Sequence, residues 1–215
     1  MAGRDDEPLL RTSYFRVLIG DREIPLLYWA GFEGVLFDGR AVKHPAALPG
    51  MRDRTVTIGC PTLEQRMIAW RIGWIVAPGE LVNDVSRVHI YNGLVPSAFN
   101  QIGTRVALTI ADDGLAAANA EWQRRRDETL RQLDGLPAVR PAGSWSLLLD
   151  VAALGLDCAQ VSDALLEQKV AATPMRGWGG EVADRHVRFV FSNEPVERLA
   201  LLDERLRRAL SALSD

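Results

Sequence analysis

Thr55-Val56-Thr57-Ile58-Gly59-Cys60-Pro61-Thr62-Leu63-Glu64-Gln65-Arg66-Met67-Ile68-Ala69-Trp70-Arg71-Ile72-Gly73-Trp74 is the stretch on which the reading of this chain turns. It opens with a β-branched run that Gly59 and Pro61 break, and a second apolar run follows over residues 72–76. β-Branched side chains suit a pleated, half-buried strand, whereas Gly and Pro end one. The pattern predicts a strand, an irregular turn, a short helix and a second strand.

Outward from that stretch, residues 24–29 form a nearly continuous apolar run, as in a buried strand. Residues 1–8 read as a frayed tail, and 13–20 as a short strand or a helical turn. Downstream, helical spacing covers 80–90 and 96–112, and a long amphipathic helix covers 116–136. Pro137, Pro141 and Gly143 stop it. A strand over 145–151, a helix over 158–169, a strand over 170–173 and a loop at Gly177-Trp178-Gly179-Gly180 follow. The chain closes with a strand over 186–192 and a helix over 195–213 that carries Pro in its first turn. The Arg124-Arg125-Arg126 triplet reads as a solvated helix face.

Composition narrows the class. With 215 residues the chain can bury a proper core, and 47% hydrophobic with 25% charged residues is ordinary for a globular protein. A net charge of −3 gives no support for nucleic-acid binding or a polybasic membrane surface. Cys60 and Cys158 are too few for a disulfide framework and lack metal-ligand spacing, so no metal is expected. No apolar run approaches the ~20 residues of a membrane span, and the N-terminus has no signal-peptide core. The expectation is a soluble cytoplasmic protein.

The lead-in Leu48-Pro49-Gly50-Met51-Arg52-Asp53-Arg54 and the opening stretch together resemble the active-site segment of class I/II aminotransferases. These are fold-type-I enzymes that use pyridoxal phosphate (PLP). In that family a lysine holds PLP as a Schiff base, and an arginine eight positions later binds its phosphate. Arg71 matches that arginine; eight positions back stands Leu63, which cannot form an imine. The only lysines, Lys43 and Lys169, lie outside the strand-turn-helix context. Residues 29–39 resemble the family's D-E-x-Y-E…D-G segment, with Glu33 and Asp38-Gly39 kept. Trp29 stands where the family's aspartate pairs with the pyridine nitrogen, and Phe32 where its tyrosine meets the phenolic oxygen. Cys60 replaces the serine of the phosphate loop. Val187-Arg188-Phe189-Val190-Phe191 resembles the strand whose arginine binds the substrate α-carboxylate. The resemblance covers about residues 20–213, and the upstream half of a typical family chain has no counterpart in it.

The resemblance implies an α/β fold: part of the PLP-transferase large domain, with a mainly parallel sheet, over residues 1–115. The interdomain helix and an α+β small domain follow over 116–215. A sheet that begins partway leaves an edge to cover, which predicts a homodimer or a hetero-complex. The three replaced positions lead to the expectation that no cofactor is bound. Arg71 and Arg188 are the candidate anion-binding residues, beside the plainer reading that they make internal salt bridges. Glu64, Tyr91 and Cys60 are candidate catalytic residues, against solvated, packing and inert roles. The expected function is a degenerate aminotransferase-like protein that binds a partner protein or a small carboxylate without transamination. Two alternatives stand beside it: a PLP-independent cyclase, isomerase or lyase of a biosynthetic pathway that reuses the old pocket, and a subunit of a split aminotransferase.

Overall fold

The computed structural model of the protein describes residues 17–19, 22–24 and 26–213. The chain divides into two units, Met1–Leu115 and Ala116–Asp215. Strands β1 (Val17–Ile19) and β2 (Arg22–Ile24) pair antiparallel. The expected short element at 13–20 is thus a strand over its last described residues, and the tail at 1–8 lies outside the described residues.

In the first unit, β3 (Leu26–Trp29) runs parallel to β4 (Thr55–Gly59), and β5 (Trp74–Val76) runs antiparallel to β4 on its other side. β4 is the centre of this sheet, and Thr55, Val56 and Thr57 are all buried, so both of its faces are covered. Gly59 closes the strand for a steric reason: a Cβ there would sit 2.3 Å from the Trp74 indole nitrogen. After Gly59 the chain bends, and the expected short helix is one 3-10 turn at Ile68–Trp70. Helix α1 (Gly79–Gly93) starts behind Pro78 and buries only Leu81, which packs with Val56, Leu27 and Ala77. Helix α2 (Ala98–Thr109) buries only Thr104. Its Gly103 lets the Trp70 ring approach to 2.1 Å of where a Cβ would stand.

The second unit is built differently. Helix α3 (Leu115–Gln132) enters it, followed by β6 (Ala138–Val139) and β7 (Ser146–Asp150). Helix α4 (Cys158–Glu167), β8 (Thr173–Pro174), α5 (Glu181–Asp184) and β9 (His186–Val190) come next. The sheet order is β6-β7-β9-β8, with every pair antiparallel. Leu147 and Leu149 of β7 and Val187 and Phe189 of β9 alternate into the core, as a strand period of two requires. Val161 and Leu165 of α4 complete that face, each such burial being worth about 1.5–3 kcal/mol. Asp157 caps α4 by accepting from the Ala159 and Gln160 N–H groups.

Two expectations change here. The closing helix is broken into α6 (Val196–Leu199) and α7 (Leu202–Ser211), with Leu199, Leu202 and Leu206 all buried. The strand expected over 170–173 is shorter and shifted to Thr173–Pro174, at the edge of the sheet, where a proline needs no ladder N–H. The arginine triplet is also not one solvated face. Arg124 is exposed, whereas the Arg126 side chain is 0% exposed, ion-paired with Asp127 at 2.8 Å and donating to the Pro141 carbonyl at 3.1 Å.

Candidate functional site

The turn after β4 places most of the sequence-derived candidates. Leu63 and Glu64 lie half-buried in its bends, and Leu63 offers its carbonyl to the Arg66 N–H at 3.0 Å. Glu64 is a strut: its Oε1 accepts the Gly34 N–H at 2.7 Å, tying the 31–34 turn to this segment. Cys60 is half-buried at the start of the turn. Arg71 ends the 3-10 turn in the left-handed region with φ 52°, and its exposed guanidinium donates back to the Ile68 carbonyl at 3.3 Å. It makes no ion pair among the described residues. Trp29 ends β3 with its indole folded over Gly31, so that a Cβ there would meet the indole nitrogen at 2.4 Å, while most of the ring stays exposed. Tyr91 stands in solvent on α1.

A polar cluster that sequence reasoning missed backs β3 and β4. The Tyr28 hydroxyl donates to Glu33 at 2.8 Å, and its ring meets His44 edge-on at 4.9 Å. Burial pushes the Tyr28 phenol well above its usual range, and the hydrogen bond to Glu33 and the charges of Glu33 and Glu64 push the same way. His44 Nδ1 accepts the Ala46 N–H at 3.1 Å, so Nε2 carries the proton and faces Thr57 Oγ1 at 3.3 Å. The cluster locks turns to strands. Its signal in the sequence was the polar Tyr28 inside an apolar run, one residue before the Trp29 that the resemblance marked.

Arg188 is held in another way, within the second unit. It sits in mid-β9, opposite Leu148 on one side and Thr173 on the other, on the face away from Val187 and Phe189. Its Cζ lies 4.8 Å from the ring centroid of Trp145 and 4.8 Å from that of Trp178. A guanidinium over an indole face is attracted by the ring quadrupole, so the two rings fix its plane. Nη2 reaches Thr173 Oγ1 at 3.5 Å, the buried Nε has no partner, and no ion pair forms among the described residues. The internal-salt-bridge reading of both arginines is therefore not what the structure shows. Trp145 and Trp178 come from separate loops, so only the fold brings them together. The Gly-flanked Trp178, with Gly177 and Gly180 at φ 79° and 68°, was the available sign.

No family model matches the chain. Arginine–pyruvate transaminase of Pseudomonas aeruginosa is 31% identical over 170 residues, 77% of this chain and 43% of that protein. Aromatic-amino-acid aminotransferase 2 of Thermococcus litoralis is 28% identical over 83% of this chain and 47% of its own length. Among solved structures, the aromatic aminotransferase from Pyrococcus horikoshii superposes with a TM-score of 0.80 and 26% identity, over 87% of this chain and 51% of that one. N-Succinyldiaminopimelate aminotransferase from Mycobacterium tuberculosis gives 0.73 and 30%, over 87% and 49%. The fold is part of the aminotransferase fold. Its homologues and structural neighbours are class I/II aminotransferases, and the chain spans about half the length of the curated relatives it matches.

This corrects one expectation. The relatives are PLP-dependent aminotransferases, so the cofactor that goes with this aminotransferase fold is PLP, and the expectation of no cofactor does not stand. The side chains at the three positions that the sequence resemblance marks lack the groups that would make the family's contacts to it. Leu63 has no amine, Trp29 turns its indole onto Gly31, and Phe32 has no hydroxyl. No group of His, Cys, Asp and Glu among the described residues could hold a metal. No helix among them is long and apolar enough to cross a membrane.

Proposed function

We propose that this chain is an aminotransferase-derived binding module that takes a small carboxylate at Arg188 and does not itself catalyse transamination. The observation that carries the reading is the arginine held against the Trp145 and Trp178 rings with its Nε unpartnered. Two indole rings lie within 4.8 Å of the guanidinium carbon, and its edge is the side on which a carboxylate forms two parallel hydrogen bonds. A buried donor without a partner costs about 1–3 kcal/mol, which an incoming carboxylate oxygen would recover. Arg71 is the secondary anion site of this reading, its guanidinium exposed and bonded only to its own turn. The absence of an amine at Leu63 supports the non-catalytic half of the proposal.

Titration calorimetry with aspartate, arginine, an aromatic amino acid and their 2-oxo acids tests the first half. At least one should bind, and Arg188→Ala should weaken it by roughly 2–5 kcal/mol, as for truncating a buried charge pair. A variant that unfolds, or binding that survives Arg188→Ala unchanged, makes the residue structural. Amino-group transfer by the chain supplied with PLP would overturn the second half.

A further inference from the structure

We propose that Trp178 is the gate of the Arg188 site and Trp145 its fixed wall. The inference rests on the carboxylate reading above and adds the motion which that reading needs. Arg188 Nε is buried as well as unpartnered, and an atom shielded from water is equally shielded from a carboxylate oxygen. A group lying against the guanidinium therefore has to move before two parallel hydrogen bonds can form on its edge. The Trp145 and Trp178 rings are such groups, each with its centroid 4.8 Å from Cζ.

The backbone decides which ring moves. Trp145 is pinned to the sheet: its carbonyl accepts the Phe191 N–H at 3.2 Å and the Ser192 N–H at 3.4 Å, and the next residue, Ser146, pairs with Val190. Trp178 lies outside any strand, between Gly177 and Gly180, and is 62% exposed. A Cβ at either glycine would meet nothing within 4 Å, so their positive-φ backbone, and not a lack of room, calls for glycine there. The Trp178 N–H donates to the Met175 carbonyl at 3.0 Å, inside its own turn. Two tethers hold the loop from outside: the ion pair of Arg176 with Asp157 at the head of α4, and the Gly177 N–H on Asp184 Oδ1 at 3.0 Å. Both tethers lie at the surface, where such contacts contribute little, and so does the stacking of an exposed indole. Swinging Trp178 aside is thus cheap, while Trp145 stays and keeps the guanidinium oriented.

Phenylglyoxal condenses with guanidinium groups whatever the natural ligand is, so it tests the gate apart from the carboxylate reading. Followed peptide by peptide in the mass spectrometer, Arg188 of the folded protein should react more slowly than the exposed Arg87 and Arg124. The double variant Arg176→Gln/Asp184→Ala cuts both tethers and keeps both rings. It should speed Arg188 about threefold or more, with the Arg87 rate unchanged. Trp178→Ala should speed Arg188 further and tighten aspartate binding about two- to fivefold, because no stacked ring has to be displaced. An Arg188 rate that the double variant leaves unchanged, or aspartate binding that Trp178→Ala weakens, overturns the gate. Aspartate that binds to neither protein, while the double variant still speeds Arg188, upholds the gate and counts against the carboxylate reading.

Discussion

The two units solve the problem of burying a sheet in opposite ways. In the second, helices α4 and α7 lie together, and α4 packs on β8 and β9. Leu149, Val151, Val161, Leu165, Val187, Phe191 and Leu206 all reach essentially full burial there. In the first, Val56 and Leu81 pack with Leu27 and Ala77 against a three-stranded sheet, and Val35, Phe37 and Met67 are buried apart from that cluster. Its apolar side chains are as numerous, but many of them, from Trp29 and Ile75 to Phe99 and Val106, face water. Hydrophobic content alone does not set stability; what counts is how much of it finds a partner within the unit.

The sharpest way to break this contrast is to remove the buried arginine of the second unit. Arg126→Ala should cost about 3–5 kcal/mol in denaturant unfolding, because it strips Asp127 and the Pro141 carbonyl of a partner and leaves a cavity. Arg126→Met, which keeps most of the volume without the charge, should cost clearly less. If the two variants match, the lost ion pair and hydrogen bond explain the whole effect and the cavity adds nothing. A matched pair of leucine truncations comes next. Leu165→Ala should fall in the upper part of the roughly 2–5 kcal/mol range, and Leu81→Ala in the lower part, since a sparse core collapses more readily around a deletion. Equal costs would show that the first unit is as tightly packed as the second.

The smallest effect is in acid. In the second unit the Asp150 carboxyl is held below its usual range by the hydrogen bond from Arg185, with the Ala153 N–H adding to it. The N–H groups of Gln160 and Ala159 do the same for Asp157, and Arg125 for Glu121. A carboxylate whose folded pKa is depressed contributes stability above its unfolded pKa of about 4 and loses it as pH falls through the lower folded value. The melting temperature of the second unit should therefore drop below about pH 4. Asp150→Asn should flatten part of that slope, and a slope that the variant does not change would remove Asp150 from the account.

The same contrast explains what could be read from the sequence. β4 was legible because β-branched residues, Gly59 and Pro61 are local signals, and β9 because Val187, Phe189, Val190 and Phe191 are β-branched or aromatic residues around a single charge. Local signals say nothing about which side of a helix is covered. The helix around residues 98–109 was expected, but not that Thr104 points in and Phe99 out, because the covering surface is chosen by tertiary packing. Arg126 was read with its neighbours as solvated for the same reason: at 3.6 residues per turn adjacent positions face different ways, and only the fold tells which is inside. The site followed suit. Arg188 was found from its strand, but Trp145 and Trp178 are 33 positions apart and meet only around it.

The chain's two cysteines divide evenly between the units, and both are free. Cys158 is fully buried at the first turn of α4, whereas Cys60 is half-exposed at the end of β4. A thiolate must reach its reagent to react, so a shielded thiol waits for the backbone around it to open. One alkylating agent added to the folded protein thus starts two clocks. Cys60 reports the turn after β4 on its own timescale, and Cys158 reports the opening of the second unit, so the order of modification ranks the two units without unfolding either by force.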